Sequence, residues 1–293
     1  AYPTEKRAQE RVRPHRWEVR KSTHGKEIDE ALVGNHRRDS ALRNDPLQDH
    51  LTPHLAKNPF SCKSPPVDTQ LLVADFEDWR ETVTEAVALL EQGEVVALPT
   101  ETVYGLAACA FNAEAVAKIF EVKERPSFDP LIVHIGRKSD LEKVAVVPEE
   151  IRELVDELIE AHWPGALTLV LPKHEDIPDL VTSGLPTVAV RLSAHEIMRE
   201  VAKVHGPIAA PSANRYGRIS PTSAQAVMDE LGGRIPLIID GGACRDGLES
   251  TIIAPTMTEK GPVLRLLRPG PVSKEDLRLI AKVERVRNKP GAT

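Results

Sequence analysis

The sequence predicts an α/β fold, in which helices cover at least one face of a sheet. Strand-length apolar runs alternate along the chain with segments of helical periodicity, and this order is typical of the α/β class. Several runs are apolar throughout, such as the one in "EVVAL" at 94–98, and strands of that kind are usually buried on both faces. With 293 residues and 41% hydrophobic content, the chain is long enough for a domain with a substantial core.

Local signals define each predicted element in chain order. Asp78, Trp79, Arg80 and Glu81 have the spacing of a capping box, which predicts a helix that Gly93 ends. The predicted strands lie at 94–98, 130–135, 166–171, 187–192, 207–210, 236–240, 250–254 and 263–267. Further helices are predicted at 113–122 with Asn112 as its cap, from about Pro148 to 162, at 194–204, at 222–231, and as one terminal helix within 273–286.

The first 65 residues differ from the rest of the chain. They contain 13 Lys and Arg against 9 Asp and Glu, a net charge of +4, so the −6 of the whole chain leaves −10 on residues 66–293. Their hydrophobic residues keep neither helical nor strand spacing, which predicts a largely disordered tail at 1–65. The acidic balance of the remainder disfavours a broad nucleic-acid-binding face, so direct RNA binding is expected to be weak or absent.

Composition also indicates the cellular compartment of the protein. No apolar run approaches the roughly 18 residues of a membrane helix, so no membrane association is expected. Cys62, Cys109 and Cys244 form no CxxC pair, which suits a reducing compartment and gives no metal signature. A cytoplasmic location is therefore predicted. Organellar targeting by the arginine-containing N-terminal segment is the alternative, which the glutamates of that segment disfavour.

Standard nucleotide and metal motifs are absent. The sequence has no GxxxxGK[ST] loop, no GxGxxG after a strand, no GxSxG and no HExxH. The histidines from His134 onward lack the spacing of metal ligands, so no metal site built from side chains is expected.

Polar side chains instead gather at strand ends. "LPTETVYGL" at 98–106 places hydroxyls, a carboxylate and a tyrosine directly after an apolar run. Such residues either line a site or satisfy backbone groups at a strand-to-loop transition. "APSANRYGRISPTS" at 210–223 adds Ser212, Asn214, Ser220 and Thr222, which suit either a ligand's polar edge or a turn-rich connection. "GLESTII" and "LLRPG" place Ser250 and Arg268 at strand boundaries.

Several cations accompany these groups. Lys123 and Arg125 are two positions apart, so in extended backbone both would point to one side and converge on a polyanion; the alternative is an ordinary solvated helix end. Arg191 lies inside an apolar strand, where it needs either a structural ion pair or a bound carboxylate. His134 alternates with Ile132 on one strand face, and its simpler reading is a core histidine bonded to backbone.

The ordered set of these motifs resembles the YrdC-type threonylcarbamoyl-AMP synthases. The matching segments are "LPTETVYGL", "KERPSFDPLIVHI", "WPGALTLVL", "VAVRLSAH", "APSANRYGRISPT", "GLESTII" and "LRPG". They occur in family order within residues 78–273. The family's hallmark, K-x-R followed by S-x-N, corresponds here to Lys123-Glu124-Arg125 and Ser212-Ala213-Asn214.

The resemblance implies a twisted mixed sheet with flanking helices around a large basic cavity. It also implies a nucleotidyltransferase that makes L-threonylcarbamoyladenylate and pyrophosphate from L-threonine, bicarbonate or CO2, and ATP with Mg2+. A separate transferase would use that product for the t6A37 modification of tRNA.

Site residues follow from the matched motifs. The resemblance implies that threonine or its carbamate contacts Thr102, His134, Arg191, Ser212 and Ser250. It implies that the ATP site is lined by Lys123, Arg125, Asp129, Thr187, Asn214, Thr222 and Arg268. Lys123, Arg125, Ser212 and Asn214 are the expected catalytic set. Asp129 departs from the family, since relatives often carry Asn or Lys there, and its carboxylate would repel phosphates unless it helps to hold Mg2+ or faces away.

The expected domain organisation is the tail at 1–65, a YrdC-like catalytic domain at 66–275, and a C-terminal helix and tail at 276–293. Because the chain ends at Thr293, shortly after Pro269-Gly270, it resembles the single-domain type of the family. Two alternatives stay open. One is a carbamoyltransferase domain that uses carbamoyl phosphate, and the other is a non-catalytic RNA-binding module, which the 4% aromatic content disfavours.

Overall fold

An eleven-stranded mixed sheet organises the part of the chain that the computed structural model describes, residues 67–74 and 79–286. The strands are β1 (Gln70–Val73), β2 (Val96–Leu98), β3 (Gly105–Cys109), β4 (Ile132–His134), β5 (Leu167–Pro172), β6 (Thr187–Arg191), β7 (Ile208–Ala209), β8 (Leu237–Asp240), β9 (Thr251–Thr258), β10 (Gly261–Arg268) and β11 (Lys282–Arg285). They lie in the order β1-β8-β2-β3-β7-β4-β6-β5-β9-β10-β11. Parallel and antiparallel neighbours both occur, which confirms the predicted mixed α/β fold.

Helices flank this sheet. The α-helices are α1 (Arg80–Glu91), α2 (Ala113–Lys123), α3 (Arg152–His162), α4 (Asp179–Thr182), α5 (Glu196–His205), α6 (Ala224–Leu231) and α7 (Lys274–Arg278). Short 3-10 helices span Lys138–Lys143 and Glu149–Ile151. The predicted cap of α2 is confirmed, because the Asn112 side chain accepts hydrogen bonds from the N–H groups of Glu114 and Ala115. The predicted tail at 1–65 and the predicted capping residue Asp78 lie outside the described residues.

Both faces of the β2–β8 region are covered. Val96 and Leu98 belong to a hydrophobic cluster with residues of α1 and α5, whereas Ala97 belongs to a second cluster that includes α2 and α3. Because successive strand residues point to opposite faces, an apolar run here is buried on both sides. This explains why "EVVAL" lacks polar alternation. Among the described residues, no helix has the length and apolar character needed to cross a bilayer.

The centre of the sheet, at β4, β6 and β5, has one core face and one polar face. Val133, Val190 and Leu169 are fully buried in the larger cluster. The neighbouring positions, such as His134 and Arg191, point the other way and line a cavity. Strand alternation in this region therefore places polar side chains on a rigid, buried surface.

The prediction of one terminal helix within 273–286 was wrong. The helix α7 ends at Arg278, and Lys282–Arg285 forms β11, which pairs in parallel with β10. From Ala281 onward buried and exposed positions alternate, with Ala281 and Val283 buried and Lys282 and Glu284 exposed. This period of two is the pattern of an edge strand with one covered face. The domain boundaries at 65/66 and 275/276 stay predictions.

Two strands also escaped prediction. The sequence of β3, "GLAAC", has no β-branched residue and therefore a weak strand signal. Pairing with β2 on one side and β7 on the other supplies its hydrogen bonds. The strand β1 pairs in parallel with β8 at the edge of the sheet.

Candidate active site

A cavity of about 460 Å³ collects nearly all of the predicted site residues. Its lining includes Thr102, Lys123, Arg125, Asp129, His134, Thr187, Arg191, Ser212, Asn214, Ser250 and Arg268. These residues come from segments spread over most of the described chain, so the fold brings the separate motifs to one place.

Thr222 is the predicted residue that does not join them. It is exposed and does not belong to the cavity lining. Its backbone carbonyl accepts a hydrogen bond from the N–H of Cys244 at 2.8 Å. The structure therefore gives Thr222 a place in the connection before α6 and no place in the cavity wall.

Strand register aligns three of the site residues. His134 on β4 is directly opposite Arg191 on β6, and Arg191 is opposite Thr168 on β5. The same row continues through Ile252 on β9 to Arg268 on β10. Because directly opposed residues have side chains on the same face of a sheet, this row carries its polar groups to one side.

Arg191 is held from three directions at the inner end of the cavity. Its side chain is only 4% exposed. Nη2 lies 2.8 Å from Glu101 Oε1, Nη1 donates to Thr102 Oγ1 at 2.9 Å, and Nε donates to the carbonyl of Gly165 at 3.1 Å. The structural ion pair, one of the two alternatives for Arg191, is confirmed. Arg191 also lines the cavity, and its binding of a carboxylate stays a prediction.

Glu101, for which the sequence suggested no role, is the buried partner of Arg191. Its carboxylate accepts a hydrogen bond from Ser193 Oγ at 2.5 Å and another from the N–H of Ala194 at 3.0 Å. Burial alone would raise its pKa, but the charge of Arg191 and these hydrogen bonds outweigh burial and lower the pKa to about 2. Glu101 is therefore ionised whenever the fold is intact near neutral pH.

His134 is a neutral imidazole facing the same end of the cavity. Its side chain is 3% exposed, and its Nδ1 atom is buried without a hydrogen-bond partner among the described residues. Burial and the nearby positive charge of Arg191 lower its pKa to about 3. The reading of His134 as a core histidine bonded to backbone is therefore incomplete, since this nitrogen lacks such a bond.

Of the two alternatives for the K-x-R residues, the helix end describes their backbone and extended backbone is wrong, yet both side chains line the cavity. Lys123 is the last residue of α2, and Glu124 has the left-handed backbone with φ of 53° that often ends a helix. Glu124 turns its own side chain outward to Arg234, at 2.7 Å. Lys123 and Arg125 thus reach the cavity from a helix end and the turn after it, and not from extended backbone.

Lys123 joins the K-x-R and S-x-N motifs directly. Lys123 is 1% exposed, and its ammonium group donates to the carbonyl of Ser212 at 2.5 Å and to the carbonyl of Asn214. In return, the N–H of Tyr216 donates to the carbonyl of Lys123 at 2.7 Å. Burial and the charge of Arg125 lower the pKa of Lys123 to about 7.

Asn214 lines the cavity and has one unsatisfied acceptor. Its Nδ2 donates to the carbonyls of Arg215 and Arg218, each at 2.8 Å. These two bonds fix the orientation of the amide, and Oδ1 is left buried without a partner in the described part of the chain. The side chain therefore offers a fixed acceptor to a hydrogen-bond donor of a ligand.

Asp129 is paired with the neighbouring cation. Its Oδ2 lies 2.8 Å from Arg125 Nη2, and Arg125 also donates to the carbonyls of Asp129 and Pro130. Asp129 thus places a counter-ion beside Arg125.

Arg268 has a similar counter-ion. It forms an ion pair with Glu249, donates through Nε to the carbonyl of Ser250 at 3.0 Å, and donates through Nη2 to Ser250 Oγ at 3.1 Å. Ser250 Oγ also shares a hydrogen bond of 2.8 Å with Thr168 Oγ1. A Cβ at Gly270 would lie 2.4 Å from the carbonyl of Glu249, so only glycine fits where the chain passes this segment.

The cavity wall therefore has mixed charge. Lys123, Arg125, Arg191, Arg218 and Arg268 contribute cations, and Asp129 and Glu249 contribute carboxylates. The predicted large basic cavity stays a prediction. No group of three His, Cys, Asp or Glu side chains within residues 67–74 and 79–286 is placed to hold a metal ion.

Sequence reasoning missed Glu101, Glu249 and Thr168. Glu101 had a signal, because a carboxylate directly after a buried strand needs a partner.

Tyr104 is fully buried, and its hydroxyl donates to the carbonyl of Gly242 at 2.7 Å.

Comparison with known proteins gives a consistent result. The model of the Sua5/YciO/YrdC family, described as "Telomere recombination", matches residues 88–270. The threonylcarbamoyl-AMP synthase of Pyrococcus abyssi is 48% identical over 203 residues, covering 69% of this chain and 57% of that protein. That of Bacillus subtilis is 47% identical over 201 residues, covering 68% of this chain and 56% of that protein. The chain thus spans a little over half the length of these two relatives.

A shorter relative is matched almost completely. The putative threonylcarbamoyl-AMP synthase of Mycobacterium tuberculosis is 34% identical over 212 residues, covering 72% of this chain and 94% of that protein.

Solved structures agree in fold. The crystal structure of P. abyssi Sua5 complexed with L-threonine matches with a TM-score of 0.65 and 44% identity, covering 74% of this chain and 62% of that one. The crystal structure of Escherichia coli YciO has a TM-score of 0.59 at 20% identity, covers 72% of this chain and 99% of that one, and supports the fold alone. With the family motifs gathered in one cavity and a family match over residues 88–270, this chain belongs to the Sua5/YciO/YrdC family.

Proposed function

We propose that the chain catalyses the formation of L-threonylcarbamoyladenylate and pyrophosphate from L-threonine, bicarbonate or CO2, and ATP. The observation that carries the proposal is the convergence of Arg191 with Lys123, Arg125 and Arg268 on one cavity. One cation suits an amino-acid carboxylate and the others suit a triphosphate. The names of the relatives and the threonine complex of P. abyssi Sua5 support the same reaction.

Threonine binds at the inner end of the cavity in this proposal. The Arg191 guanidinium holds the carboxylate, because its planar fork matches the two carboxylate oxygens. Thr102, Ser212 and Ser250 supply polar contacts nearby, and neutral His134 adds a nitrogen that lacks a protein partner. Because His134 stays uncharged, it accepts a hydrogen bond without competing for the carboxylate.

ATP binds along the wall formed by the other cations. Lys123, Arg125 and Arg268 face the triphosphate, while Thr187 contacts a polar group of the nucleotide and the fixed Oδ1 of Asn214 accepts a hydrogen bond from a hydroxyl or amino group of the nucleoside. Each arginine has a carboxylate partner, Asp129 for Arg125 and Glu249 for Arg268. Phosphate oxygens compete with these carboxylates for the same N–H donors, and this competition offsets part of the binding energy.

The chemical step needs no protein nucleophile. The threonine ammonium first loses a proton to solvent, and the neutral amine then attacks the carbon of CO2. The N–C bond forms as one C=O π bond breaks, its electron pair stays on the carbamate oxygen, and the nitrogen releases a second proton to solvent. A carbamate oxygen then attacks the α-phosphorus of ATP. The new O–P bond forms while the bond to the pyrophosphate oxygen breaks, and pyrophosphate leaves with that electron pair. The residues act by position and charge, since Lys123, Arg125 and Arg268 stabilise negative charge on the leaving group.

Magnesium fits this wall as an ion that arrives with ATP. Asp129 and Glu249 are carboxylates in the cavity lining, and both are engaged by arginines. Mg2+ commonly binds through one or two carboxylates together with phosphate oxygens and water, so these two residues would hold it. When bound, the ion offsets charge on the triphosphate.

The product is passed to a separate transferase that completes the t6A37 modification of tRNA, and the chain acts in the cytoplasm. A mixed anhydride of carbamate and phosphate is sensitive to water, which favours direct handover to a partner. Direct tRNA binding by this chain stays weak because residues 66–293 carry a net charge of −10.

Pyrophosphate release tests the proposal. The full chain is mixed with ATP and Mg2+, and L-threonine and bicarbonate are added singly and together. Rapid release is expected only when both are present. Release that is indifferent to threonine would contradict the proposal. Release that needs carbamoyl phosphate in place of threonine would favour the carbamoyltransferase alternative.

A further inference from the structure

Arg218 is the one cation of the cavity wall whose side chain has no acceptor in the described part of the chain. The other wall cations are all engaged. Lys123 donates to two backbone carbonyls. Arg125, Arg191 and Arg268 each pair with a carboxylate. An anion that binds the Arg218 guanidinium therefore competes with no carboxylate of these residues.

The turn that carries Arg218 is nevertheless fixed in its backbone. Asn214 Nδ2 donates to the carbonyls of Arg215 and Arg218, each at 2.8 Å, and the N–H of Arg218 donates to the carbonyl of Arg215 at 3.1 Å. The N–H of Tyr216 donates to the carbonyl of Lys123 at 2.7 Å. These bonds hold the turn against the C-terminal end of α2, so the position of the Arg218 backbone is defined although its side chain is exposed.

The same segment is also tied to the second group of cations on the wall. Ser220 Oγ donates to Glu249 Oε1 at 2.8 Å, and Glu249 forms the ion pair with Arg268. Arg218 thus lies on a turn with one anchor at Lys123 and the other at the carboxylate partner of Arg268. The proposal assigns both of these cations to the triphosphate, so Arg218 is placed between two groups that face phosphate.

The direction of the proposed reaction decides which phosphate groups Arg218 can meet. An in-line displacement puts the attacking and leaving oxygens on opposite sides of the α-phosphorus. The threonine carbamate attacks from the inner end of the cavity, where the Arg191 side chain is 4% exposed. The leaving pyrophosphate group therefore points away from Arg191, toward the exposed part of the lining, which includes Tyr216, Gly217 and Arg218.

We propose that Arg218 binds the β- and γ-phosphates of ATP, and then the pyrophosphate product, at the exposed side of the cavity. The inference rests on the proposed function, because it takes the position of threonine and the in-line geometry from it. It deepens that function by assigning the discrimination between a triphosphate and a monophosphate to a residue outside the K-x-R and S-x-N motifs.

The test compares three probes by calorimetric titration of the full chain with Mg2+. The probes are ATP, AMP and inorganic pyrophosphate, and displacement of bound ATP measures the affinity of the two weaker ones. The variant is Arg218→Gln, which removes the positive charge from an exposed side chain and is expected to fold normally.

Arg218→Gln is expected to lower the affinities for ATP and pyrophosphate by at least about fivefold, since a charge-assisted hydrogen bond is lost at an exposed site. The affinity for AMP should stay within about twofold, because AMP carries only the α-phosphate. Equal losses for AMP and ATP, or an unchanged affinity for ATP, would overturn the inference. Absence of pyrophosphate binding to the unchanged chain would also overturn it.

Arg215→Gln is the matched control on the same turn. The carbonyl of Arg215 accepts from the same Asn214 amide, but its guanidinium pairs with Glu230 at 3.1 Å outside the cavity lining. All three affinities are expected to stay within about twofold in this variant. A loss equal to that in Arg218→Gln would assign the effect to the turn as a whole and overturn the inference.

Arg218→Lys separates charge from shape. It keeps the positive charge and loses the planar fork, so its ATP affinity is expected to lie between those of the unchanged chain and Arg218→Gln. Equal losses in the Lys and Gln variants would show that the charge at this position does not contact phosphate, and would overturn the inference.

A chain that binds no ATP at all would contradict the proposed function, and this inference with it. That outcome is distinct from ATP binding that Arg218→Gln leaves unchanged, which contradicts the inference alone.

Discussion

Glu101 and Arg191 form a buried ion pair, with Glu101 Oε1 2.8 Å from Arg191 Nη2. Glu101 follows β2, and Arg191 ends β6, with β3, β7 and β4 between these strands in the sheet. The pair therefore fastens the segment after β2 across the cavity end of the central strands. It makes the position of Arg191 depend on a motif that is distant in the sequence.

Replacing Arg191 separates the two proposed substrates. Arg191→Lys keeps a cation beside Glu101 and loses the planar fork. We expect threonine affinity to fall by about tenfold or more, while ATP affinity stays within about twofold, because bidentate pairing is lost only at the carboxylate. Calorimetric titration of each ligand measures both values. Unchanged threonine affinity would remove the carboxylate assignment.

Lys123 should take up a proton when ATP binds. With a pKa of about 7, caused by burial and by Arg125, its amine is mostly neutral at pH 8 in the ligand-free chain. A bound triphosphate favours the charged form, so uptake should approach one proton per ATP at pH 8 and decline toward pH 6. Titration in two buffers of different ionisation enthalpy measures this number.

Two variants serve as the controls for that measurement. Lys123→Gln should abolish the proton uptake. Arg125→Gln should weaken ATP binding but retain most of the proton uptake per bound ATP. Undiminished uptake in Lys123→Gln would assign the proton to another group.

His134 should make the fold less stable as the pH falls. Burial and Arg191 lower its pKa from 6.5 to about 3, so between these values the unfolded chain binds a proton that the folded chain does not. The free energy of unfolding should thus decrease from pH 6.5 to pH 5, by on the order of 1 to 2 kcal/mol from this residue. Urea unfolding at each pH gives the free energy of unfolding for the unchanged chain and for His134→Gln. The difference between the two chains removes the contribution of the other histidines, which both chains share. Identical pH slopes would show that His134 already titrates normally.

Thr222 should be dispensable for nucleotide binding, although the family resemblance assigns it to the ATP site. It is exposed and does not belong to the cavity lining, so Thr222→Ala is expected to leave ATP affinity within about twofold. Asn214→Ala, which removes the fixed amide acceptor, is the positive comparison and should weaken ATP binding. A loss in Thr222→Ala as large as in Asn214→Ala would place Thr222 at the ligand.

The sequence was informative wherever a local pattern decides the structure. The apolar runs at β2, β4 to β6 and β8 predicted strands, because short apolar runs between turn signals are a local pattern of buried strands. The chain after Ala281 was misread because Leu277 and Ala281 also have helical spacing, and only pairing with β10 makes alternation the stronger pattern. The secondary structure of such short segments is decided by the strands they pair with.

The candidate site was predictable in its residues and less so in its geometry. Family motifs named Lys123 and Arg125, but the left-handed turn at Glu124 that orients them is not visible in a K-x-R pattern. The partnership of Glu101 with Arg191 joins two motifs through tertiary structure, and no local rule reports it. A buried cation inside an apolar strand signals that a partner exists, and it does not say which one.

Detection of the adenylate itself tests the central claim most directly. The full chain is incubated with ATP, Mg2+, L-threonine and 13C-labelled bicarbonate, and the products are analysed by mass spectrometry. We expect threonylcarbamoyl-AMP that carries one labelled carbon and that disappears when any one of the three substrates is omitted. ATP consumption without a threonine-dependent, labelled adenylate would contradict the account.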